Sequence, residues 1–458
     1  MSIKKILLIF LLTSSIKNSI LEFNFKTNFS NENPNLNYLE KFINNSILIE
    51  FSLGNPSQKV PFQISFDEST TFILKSSNLF NYEKSTSYKI IEDKNNIWNE
   101  RYENGLISND SLKLPTIKKK SVEIKNFSFV LVKNYNSTRF NRGFPNSILG
   151  LNLDVNFMQT DLNFLSILKL NNIINSYTFT LKYTNENEGK IFIGGFPHEF
   201  NKNYNEKNLR STLCQKRGLK FFYDIYFDNI QIGNEQLKNI NKIAELKPDF
   251  GLIVGASGFK TKMDEIFFNK FYLKEICSSV FIYKTFWEIW ERDEDDEEQF
   301  DYDFGNDDAF KIIVCNEKID VKKFPSLKFY NKDFDVVFEL NYEDLFKKYK
   351  NKYYFLIVEQ NIYSNFNWKF GTPFLKKYEL TFDQDRKTIS YYLKSNDNNY
   401  VNNDDNKFNF LWVIIFILAV VVVMLIYVLK KKIFLKLKGK KNKDIDFEGK
   451  TKYSKLGI

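Results

Sequence analysis

The sequence predicts a mainly β protein of two lobes, followed by a single transmembrane helix. Short apolar runs with strand-like alternation outnumber helical patterns between residues 43 and 395. Within that region a weak internal repeat places an acid in a tight turn, and later an apolar-glycine element, in each half. Near the C-terminus, residues 410–429 are uncharged over a length that matches the hydrocarbon core of a bilayer.

The strand prediction rests on apolar runs with clear ends in the first half of the region. Residues 47–53 alternate as a half-buried strand and stop at a Gly-Asn-Pro turn, and residues 60–66 run straight into Asp67. Helical periodicity is weak, with short candidates at residues 164–170 and 263–271. Further strands are predicted at residues 127–132, 177–181, 190–193 and 224–232.

The internal repeat relates two acids to two glycines. Asp67 is followed about eighty residues later by Ile148-Leu149-Gly150, and Asp249 about 120 residues later by Phe370-Gly371. Duplicated lobes of this kind would each bring one carboxylate to a shared cleft.

The composition excludes several classes of catalytic site. The chain has one histidine and three cysteines. A Ser-His-Asp or Cys-His site would therefore have to be built on His198, which lies in a Gly-Gly-Phe-Pro-His turn. A zinc site of Cys and His ligands has too few donors at any recognisable spacing. Catalysis would therefore run on carboxylates, and no metal or cofactor is expected.

The net charge of +9 is concentrated in one segment. Residues 430–458 contain eleven lysines and three acids, which accounts for +8 of that charge. The rest of the chain is almost balanced. We therefore expect a basic tail next to the membrane and no nucleic-acid-binding face.

Targeting signals predict a type I membrane protein of the secretory pathway, at the cell surface or in a vacuolar or lysosomal compartment. Residues 1–19 read as a signal peptide, because Lys4 and Lys5 precede a short apolar run. Three lysines at residues 430–432 follow the predicted span and place the tail in the cytosol. Residues 396–409 form a linker, and residues 20–42 are either a short pro-segment or the first strand.

A lumenal body permits glycosylation and disulfides. The sequence has N-glycosylation sequons at Asn28, Asn44, Asn109, Asn126 and Asn136. Cys277 and Cys315 bracket an acidic stretch and are the candidate disulfide, which leaves Cys214 unpaired. The acidic residues 292–308 are most simply a solvated loop.

A series of short segments occurs in a fixed order between residues 43 and 395. These are residues 49–60, 66–71, 147–151, 189–195, 222–225, 248–251, 324–329 and 368–383. Their order resembles that of pepsin-like aspartic proteases. Residues 49–60 resemble the opening strand of that family, residues 66–71 and 248–251 its two aspartate loops, residues 147–151 a glycine element and residues 368–383 the closing segment. The resemblance implies a bilobal fold of two β-barrel-like lobes, residues 43–205 and 206–395, with a cleft between them.

The resemblance assigns the chemistry to Asp67 and Asp249. Asp67 stands where the family has the first "DTGSS" motif, and Asp249 where it has the second "DTG". In that family the two carboxylates lie close together and share one proton. One therefore acts as a base on a water molecule, while the other protonates the carbonyl oxygen of the substrate. No metal takes part in this reaction.

The two aspartate loops depart from the family pattern. The family has a hydroxyl after each aspartate that bonds across to the opposite loop, and here those positions are Glu68 and Phe250. The next position keeps its glycine as Gly251 in the second loop, whereas the first loop has Ser69. Thr70 keeps the hydroxyl that orients the outer carboxylate oxygen.

Other positions of the resemblance also differ. Leu252 replaces the outer hydroxyl of the second loop, and Lys369 takes an apolar position beneath that loop. The flap tyrosine of the family falls on Trp98, whose indole N–H can donate as a phenol does, or on Tyr102 if the flap is shorter.

Three functions are compatible with this pattern. The first is a membrane-anchored aspartic endopeptidase that acts on peptide or protein substrates. The second is a pseudoprotease whose cleft binds extended peptides without cutting them, and the third is a structural surface glycoprotein. The oligomeric state is not predicted by the sequence.

Overall fold

The computed structural model describes residues 20–27, 45–74, 80–94, 105–115, 121–132, 147–152, 162–217, 220–283, 309–360, 367–394 and 429–430. The chain divides into two compact units, Met1–Asn398 and Asn399–Ile458. In the second unit, the described residues 429–430 are helical.

The first unit is mainly β, as the sequence predicts. In chain order the strands are β1 (Leu21–Thr27), β2 (Ile47–Leu53), β3 (Gln58–Ser65), β4 (Phe72–Leu74), β5 (Lys89–Lys94), β6 (Gly105–Leu114), β7 (Val122–Val132), β8 (Ser147–Gly150), β9 (Thr178–Tyr183), β10 (Glu188–Ile193), β11 (Leu209–Leu213), β12 (Gln215–Arg217), β13 (Lys220–Phe222), β14 (Asp224–Tyr226), β15 (Asn229–Ile232), β16 (Glu235–Gln236), β17 (Ile243–Leu246), β18 (Ile253–Val254), β19 (Cys277–Tyr283), β20 (Ala309–Asn316), β21 (Leu327–Asn331), β22 (Val336–Leu340), β23 (Phe346–Tyr349), β24 (Lys352–Phe355), β25 (Ile357–Gln360), β26 (Trp368–Phe370), β27 (Leu380–Asp383) and β28 (Thr388–Tyr392).

Helices are short. They are α1 (Phe164–Leu170), α2 (Phe259–Met263), α3 (Asn269–Tyr272), α4 (Tyr342–Leu345) and α5 (Thr372–Lys377), with a π-helical turn at Asp264–Phe268 and 3-10 turns at Tyr82–Lys84, Pro197–Glu199, Glu206–Asn208 and Val321–Lys323. Both predicted helices are confirmed, since α1 spans residues 164–170 and α2, the π-turn and α3 cover residues 259–272.

The strands form one large sheet and several smaller ones. The 13-stranded sheet has the order β11-β28-β27-β9-β10-β1-β2-β3-β8-β4-β7-β6-β5. A second sheet has the order β14-β17-β26-β18-β25-β20-β24-β23, with β19 beside β20. The order β16-β15-β21-β22 and the hairpin β12-β13 complete the described sheets. The lobe boundaries at residues 205 and 206 stay a prediction.

Alternation explains why the first predicted strand forms. In β2, Ile47, Ile49, Phe51 and Leu53 are buried, while the residues between them are half-buried or exposed. The strand predicted over residues 224–232 is instead two strands. The first of these strands, β14, pairs with β17, whereas the second, β15, pairs with β21.

The internal repeat is confirmed as a repeated strand arrangement. In the first half, β8 lies between β3, to which it is parallel, and β4, to which it is antiparallel. In the second half, β26 lies in the same way between β17 and β18. Each arrangement frames the loop that carries one of the two predicted aspartates.

A glycine allows each loop to contact the strand beneath it. A Cβ on Gly150 would lie 2.5 Å from the carbonyl oxygen of Thr70, and a Cβ on Gly371 would lie 2.1 Å from that of Phe250. Real side chains do not approach so closely. The two glycines singled out by the repeat are therefore required for the packing of the loops.

Aromatic packing joins distant parts of the chain below the first loop. Phe66, the residue before Asp67, lies 5.7 Å from Phe179, 4.8 Å from Tyr223 and 4.9 Å from Phe382 between ring centroids. Such pairs add to the burial of large apolar surfaces. The base of the first loop is therefore fixed by residues from both halves of the sequence.

The predicted disulfide is confirmed. Cys277 in β19 lies directly opposite Cys315 in β20, and the two are bonded. Cys214 is buried and is not part of this disulfide.

In the part of the chain that the structure describes, no helix has the length and apolar character needed to span a membrane. Of the predicted span at residues 410–429, only Leu429 is among the described residues. The predicted signal peptide, the acidic residues 292–308 and the basic tail beyond Lys430 also lie outside them.

Candidate active site

The first aspartate lies in the loop between β3 and β4. The backbone N–H of Asp67 donates to Ser65 Oγ at 3.2 Å. The Asn152 side chain donates to the carbonyl oxygen of Asp67 at 2.8 Å, and the Asn163 side chain donates to that of Ser69 at 2.9 Å. Side-chain amides from outside the loop therefore fix its backbone at Asp67 and at Ser69.

The second aspartate, Asp249, lies in the loop between β17 and β18. The backbone N–H of Lys247 donates to the Phe370 carbonyl at 2.9 Å, and that of Phe250 donates to the Lys247 carbonyl at 3.1 Å. The backbone N–H of Thr372 donates to the Phe250 carbonyl at 2.9 Å. These bonds form a tight turn that is anchored to β26 and to the start of α5.

The positions that depart from the family pattern are mostly packed rather than exposed. The ring of Phe250 lies 5.6 Å from that of Phe310, and Leu252 belongs to the same apolar cluster. Glu68 and Thr70 are buried. Apolar packing therefore replaces the hydroxyl groups of the second loop, and a further carboxyl group is buried beside Asp67.

A lysine connects the two loops. Lys247 Nζ lies 2.6 Å from Asp67 Oδ1 and 3.6 Å from Glu245 Oε2. The side chain of Lys247 is 19% exposed and that of Asp67 is 31% exposed, so the pair is partly screened by solvent. A strong charge-assisted hydrogen bond thus occupies one oxygen of the first predicted catalytic carboxylate.

The charge state of Lys247 follows from its surroundings. Burial alone lowers the pKa of Lys247, but Asp67, Asp249 and Glu245 favour the ammonium form and outweigh it. The net result is a pKa raised above the ordinary value of 10.5. Lys247 is therefore a cation at every pH at which an aspartic protease would work.

Glu245 helps to place this lysine. The Asn367 side chain donates to Glu245 Oε1 at 2.9 Å, and the Asn241 side chain donates to Asn367 Oδ1 at 2.8 Å. The sequence prediction included neither Lys247 nor Glu245. One signal could have found them, because Glu245, Lys247 and Asp249 recur at every second residue, the period of one strand face.

The other predicted loop residues are also located. Ser69 is half-buried. Gly251 is buried and lines a cavity of about 190 Å³ together with Thr372 and Pro373. The flap candidates Trp98 and Tyr102 lie outside the described residues.

Two of the five sequons can be placed. Asn126 is exposed in β7, whereas Asn109 is half-buried in β6 with its side-chain oxygen buried. Asn28, Asn44 and Asn136 lie outside the described residues.

The one histidine of the chain makes a hydrogen bond within the fold. His198 lies in the 3-10 turn Pro197–Glu199, and its Nδ1 shares a hydrogen bond of 2.7 Å with the Tyr392 hydroxyl. Among the residues that the structure describes, no group of three or more His, Cys, Asp or Glu side chains is arranged to hold a metal ion.

Two aspartate loops on a repeated strand arrangement, each packed on a glycine, define a protein of the pepsin-like class. The model of the eukaryotic aspartyl protease family matches residues 64–392. The chain belongs to this family. The crystal structure of basic 7S globulin from soybean matches with a TM-score of 0.54 and 12% sequence identity, over 84% of this chain and 100% of that one. At this identity the likeness concerns the fold alone. No curated protein matches the sequence.

Proposed function

We propose that this chain is a pepsin-like protein that binds extended peptides and does not hydrolyse them. The observation that carries the proposal is the bond of 2.6 Å between Lys247 Nζ and Asp67 Oδ1.

The bond interferes with the chemistry of the dyad. The two carboxylates of an aspartic protease share one proton because like charges at short distance cannot both ionise. The ammonium of Lys247 supplies a counter-charge to Asp67 and removes the reason to hold that proton. The ammonium also competes with an attacking water for hydrogen bonding to Asp67 Oδ1.

The cleft that the resemblance implies remains a suitable peptide site. Peptide binding depends on the loops and on the groove between the lobes, and it does not require proton transfer. The half-buried Phe250 and the buried Leu252 pack the second loop with apolar side chains in place of hydroxyl groups.

One observation favours the endopeptidase as a second candidate. The repeated strand arrangement and the close packing on Gly150 and Gly371 keep both aspartates on the loops that the family uses. If Lys247 moved away from Asp67 when substrate binds, hydrolysis could proceed.

The sequence supplies the cellular setting of the proposal. The predicted signal peptide, the span at residues 410–429 and the basic tail support a type I protein of the secretory pathway with an extracytoplasmic body. The tail lysines would meet anionic lipid at the cytosolic face. The partners would be peptides or proteins, with no nucleic acid.

Cleavage and binding should be measured together on the full chain. Wild type and Asp67→Asn would be incubated with a peptide library from pH 3 to pH 7, with mass spectrometry for cleavage and fluorescence anisotropy for binding. We expect binding by both proteins and cleavage by neither. Cleavage by wild type that disappears in Asp67→Asn would replace the proposal with the endopeptidase. If neither binding nor cleavage were detected, the structural surface glycoprotein would be the remaining function.

A further inference from the structure

The sequence contains one place where a lysine directly precedes an arginine, at Lys216-Arg217. Many endoproteases of the secretory pathway cleave after paired basic residues, because carboxylates in their binding sites form charge-assisted hydrogen bonds with both side chains. The pair lies in β12, just after the predicted boundary between the lobes. The side chain of Lys216 is exposed. The connection between the two halves of the chain therefore carries a basic pair of the kind that such enzymes recognise.

The hairpin that carries this pair can open without disturbing the larger sheets. The strands β12 and β13 form a two-stranded sheet of their own, with Arg217 opposite Lys220. Lys216 Nζ lies 5.7 Å from the centre of the Phe221 ring, a contact that is weak at an exposed site. A lone two-stranded hairpin is only marginally stable in water. Local opening therefore presents β12 as an extended segment at little cost to the rest of the fold.

The other basic pairs in the described part of the chain are held differently. Lys322-Lys323 and Lys376-Lys377 lie in helical turns, and Lys347-Lys348 lies in β23 within the second sheet. Arg386-Lys387 lies in the turn between β27 and β28, where Lys387 has a left-handed φ of 56°. Unlike these four pairs, Lys216-Arg217 lies in an extended strand that can open by itself.

A cut after Arg217 would leave the strands of the two pieces interleaved in the 13-stranded sheet. The order β11-β28-β27-β9 places β27 and β28 of the second piece between β11 and β9 of the first. Side chains also join the pieces at both of these seams. The hydroxyl oxygens of Ser211 and Ser390 lie 2.7 Å apart, and those of Thr180 and Thr381 lie 2.8 Å apart. Two backbone ladders and these hydrogen bonds therefore hold the pieces together without a covalent link.

We propose that this chain is cleaved after Arg217 in the secretory pathway and that its mature form is two chains held together by the interleaved sheet. Hydrolysis of this peptide bond consumes one water and leaves a carboxylate on Arg217 and an amino group on Gly218. The inference uses the predicted secretory route, and it is independent of whether the cleft binds or hydrolyses peptides.

The cysteines make the two-chain form easy to recognise. The first piece contains one cysteine, Cys214, which is free. Cys277 and Cys315 are bonded to each other within the second piece. The two chains should therefore separate on a denaturing gel even without a reducing agent.

Cleavage would be measured on the full-length chain with one tag after the predicted signal peptide and another at the C-terminus. The host would be a secretory cell that contains an endoprotease specific for Lys-Arg. We expect two fragments on a non-reducing denaturing gel, and N-terminal sequencing should show that the second begins at Gly218. In Arg217→Gln the cleaved fraction should fall by roughly a hundredfold or more, because the enzyme's acidic site is left with an unpaired carboxylate.

A matched control and a native capture complete the experiment. Arg386→Gln removes an exposed arginine from the basic pair of the β27–β28 turn and should leave the cleavage unchanged. Capture of the cleaved wild type through the first tag, under native conditions, should retain both fragments in equal amounts.

Three results would overturn the proposal. A wild-type chain that stays intact in this host is not processed at the hairpin. Cleavage that persists in Arg217→Gln would place the cut at another bond. Loss of the second fragment during native capture would mean that the interleaved sheet does not hold a two-chain form together.

Discussion

The variant Lys247→Met tests the ion pair at the centre of the candidate site. It removes the ammonium and keeps an unbranched apolar chain of similar length. Asp67, Asp249 and Glu245 then lose the cation that favours their charged forms. A fully buried pair broken on one side costs about 3–5 kcal/mol and an exposed pair about 0–1 kcal/mol. With the lysine 19% and the aspartate 31% exposed, we expect a loss of about 1–3 kcal/mol in the free energy of unfolding.

The pH dependence has a definite sign. The pKa of Lys247 is raised in the folded protein above its ordinary value of 10.5. Its contribution to stability is therefore fully present below pH 10.5 and is lost as the pH rises through the folded value. The difference between wild type and Lys247→Met should stay constant from neutral pH to about pH 10 and shrink only above that.

A double-mutant cycle isolates the pair. Thermal or urea unfolding would be followed for wild type, Lys247→Met, Asp67→Asn and the double variant. We expect the two single losses to be non-additive by about 1–3 kcal/mol, because the double variant leaves no unpaired group at this bond. Additive effects, or a more stable Lys247→Met at neutral pH, would refute the ion pair as a link between the loops.

Three further predictions concern other parts of the described structure. In unfolding experiments Gly371→Ala should destabilise the protein far more than Gly258→Ala. A Cβ on residue 371 would lie 2.1 Å from a backbone oxygen, whereas a Cβ on residue 258 would meet open space and only an unfavourable φ of +81°. Equal losses in the free energy of unfolding would contradict the close packing at Gly371. The Cys214 thiol, whose pKa burial raises to about 12, should resist alkylation at pH 8 in the native protein and react only after unfolding, and rapid native labelling would contradict its burial. In a secretory host Asn126→Gln should remove the mass of one glycan while Asn109→Gln should not, since only Asn126 is exposed; the reverse pattern would contradict the assignment of the two faces.

Local patterns made most of the fold predictable. Residues 47–53 and 164–170 were identifiable because alternation and helical spacing are visible within a few residues. The repeat of an acid and a later glycine identified Gly150 and Gly371, whose packing the structure confirms. Cys277 and Cys315 could be paired because few cysteines are present and the two bracket one excursion of the chain.

The chemistry of the candidate site was less predictable, because it depends on a contact between distant residues. Lys247 and Asp67 are 180 positions apart in the sequence. The departures at Glu68 and Phe250 are visible in the sequence because they adjoin the aspartates, whereas no residue next to Asp67 points to a lysine two residues before Asp249. The period of two that joins Glu245, Lys247 and Asp249 is a weak signal, because β17 ends at Leu246 and only Glu245 of the three lies in that strand.

The departures at Glu68 and Phe250 and the bond from Lys247 to Asp67 are best understood together, as one exchange of contacts between the loops. In the family, a hydroxyl after each aspartate bonds across to the opposite loop and so links the two halves. Glu68 and Phe250 lack the hydroxyl groups for that paired contact. The bond from Lys247 on the second loop to Asp67 on the first restores a link between them. It does so by using a carboxylate oxygen that hydrolysis would need. The exchange is therefore compatible with the proposed binding of a peptide, whereas cleavage would require Lys247 to leave Asp67.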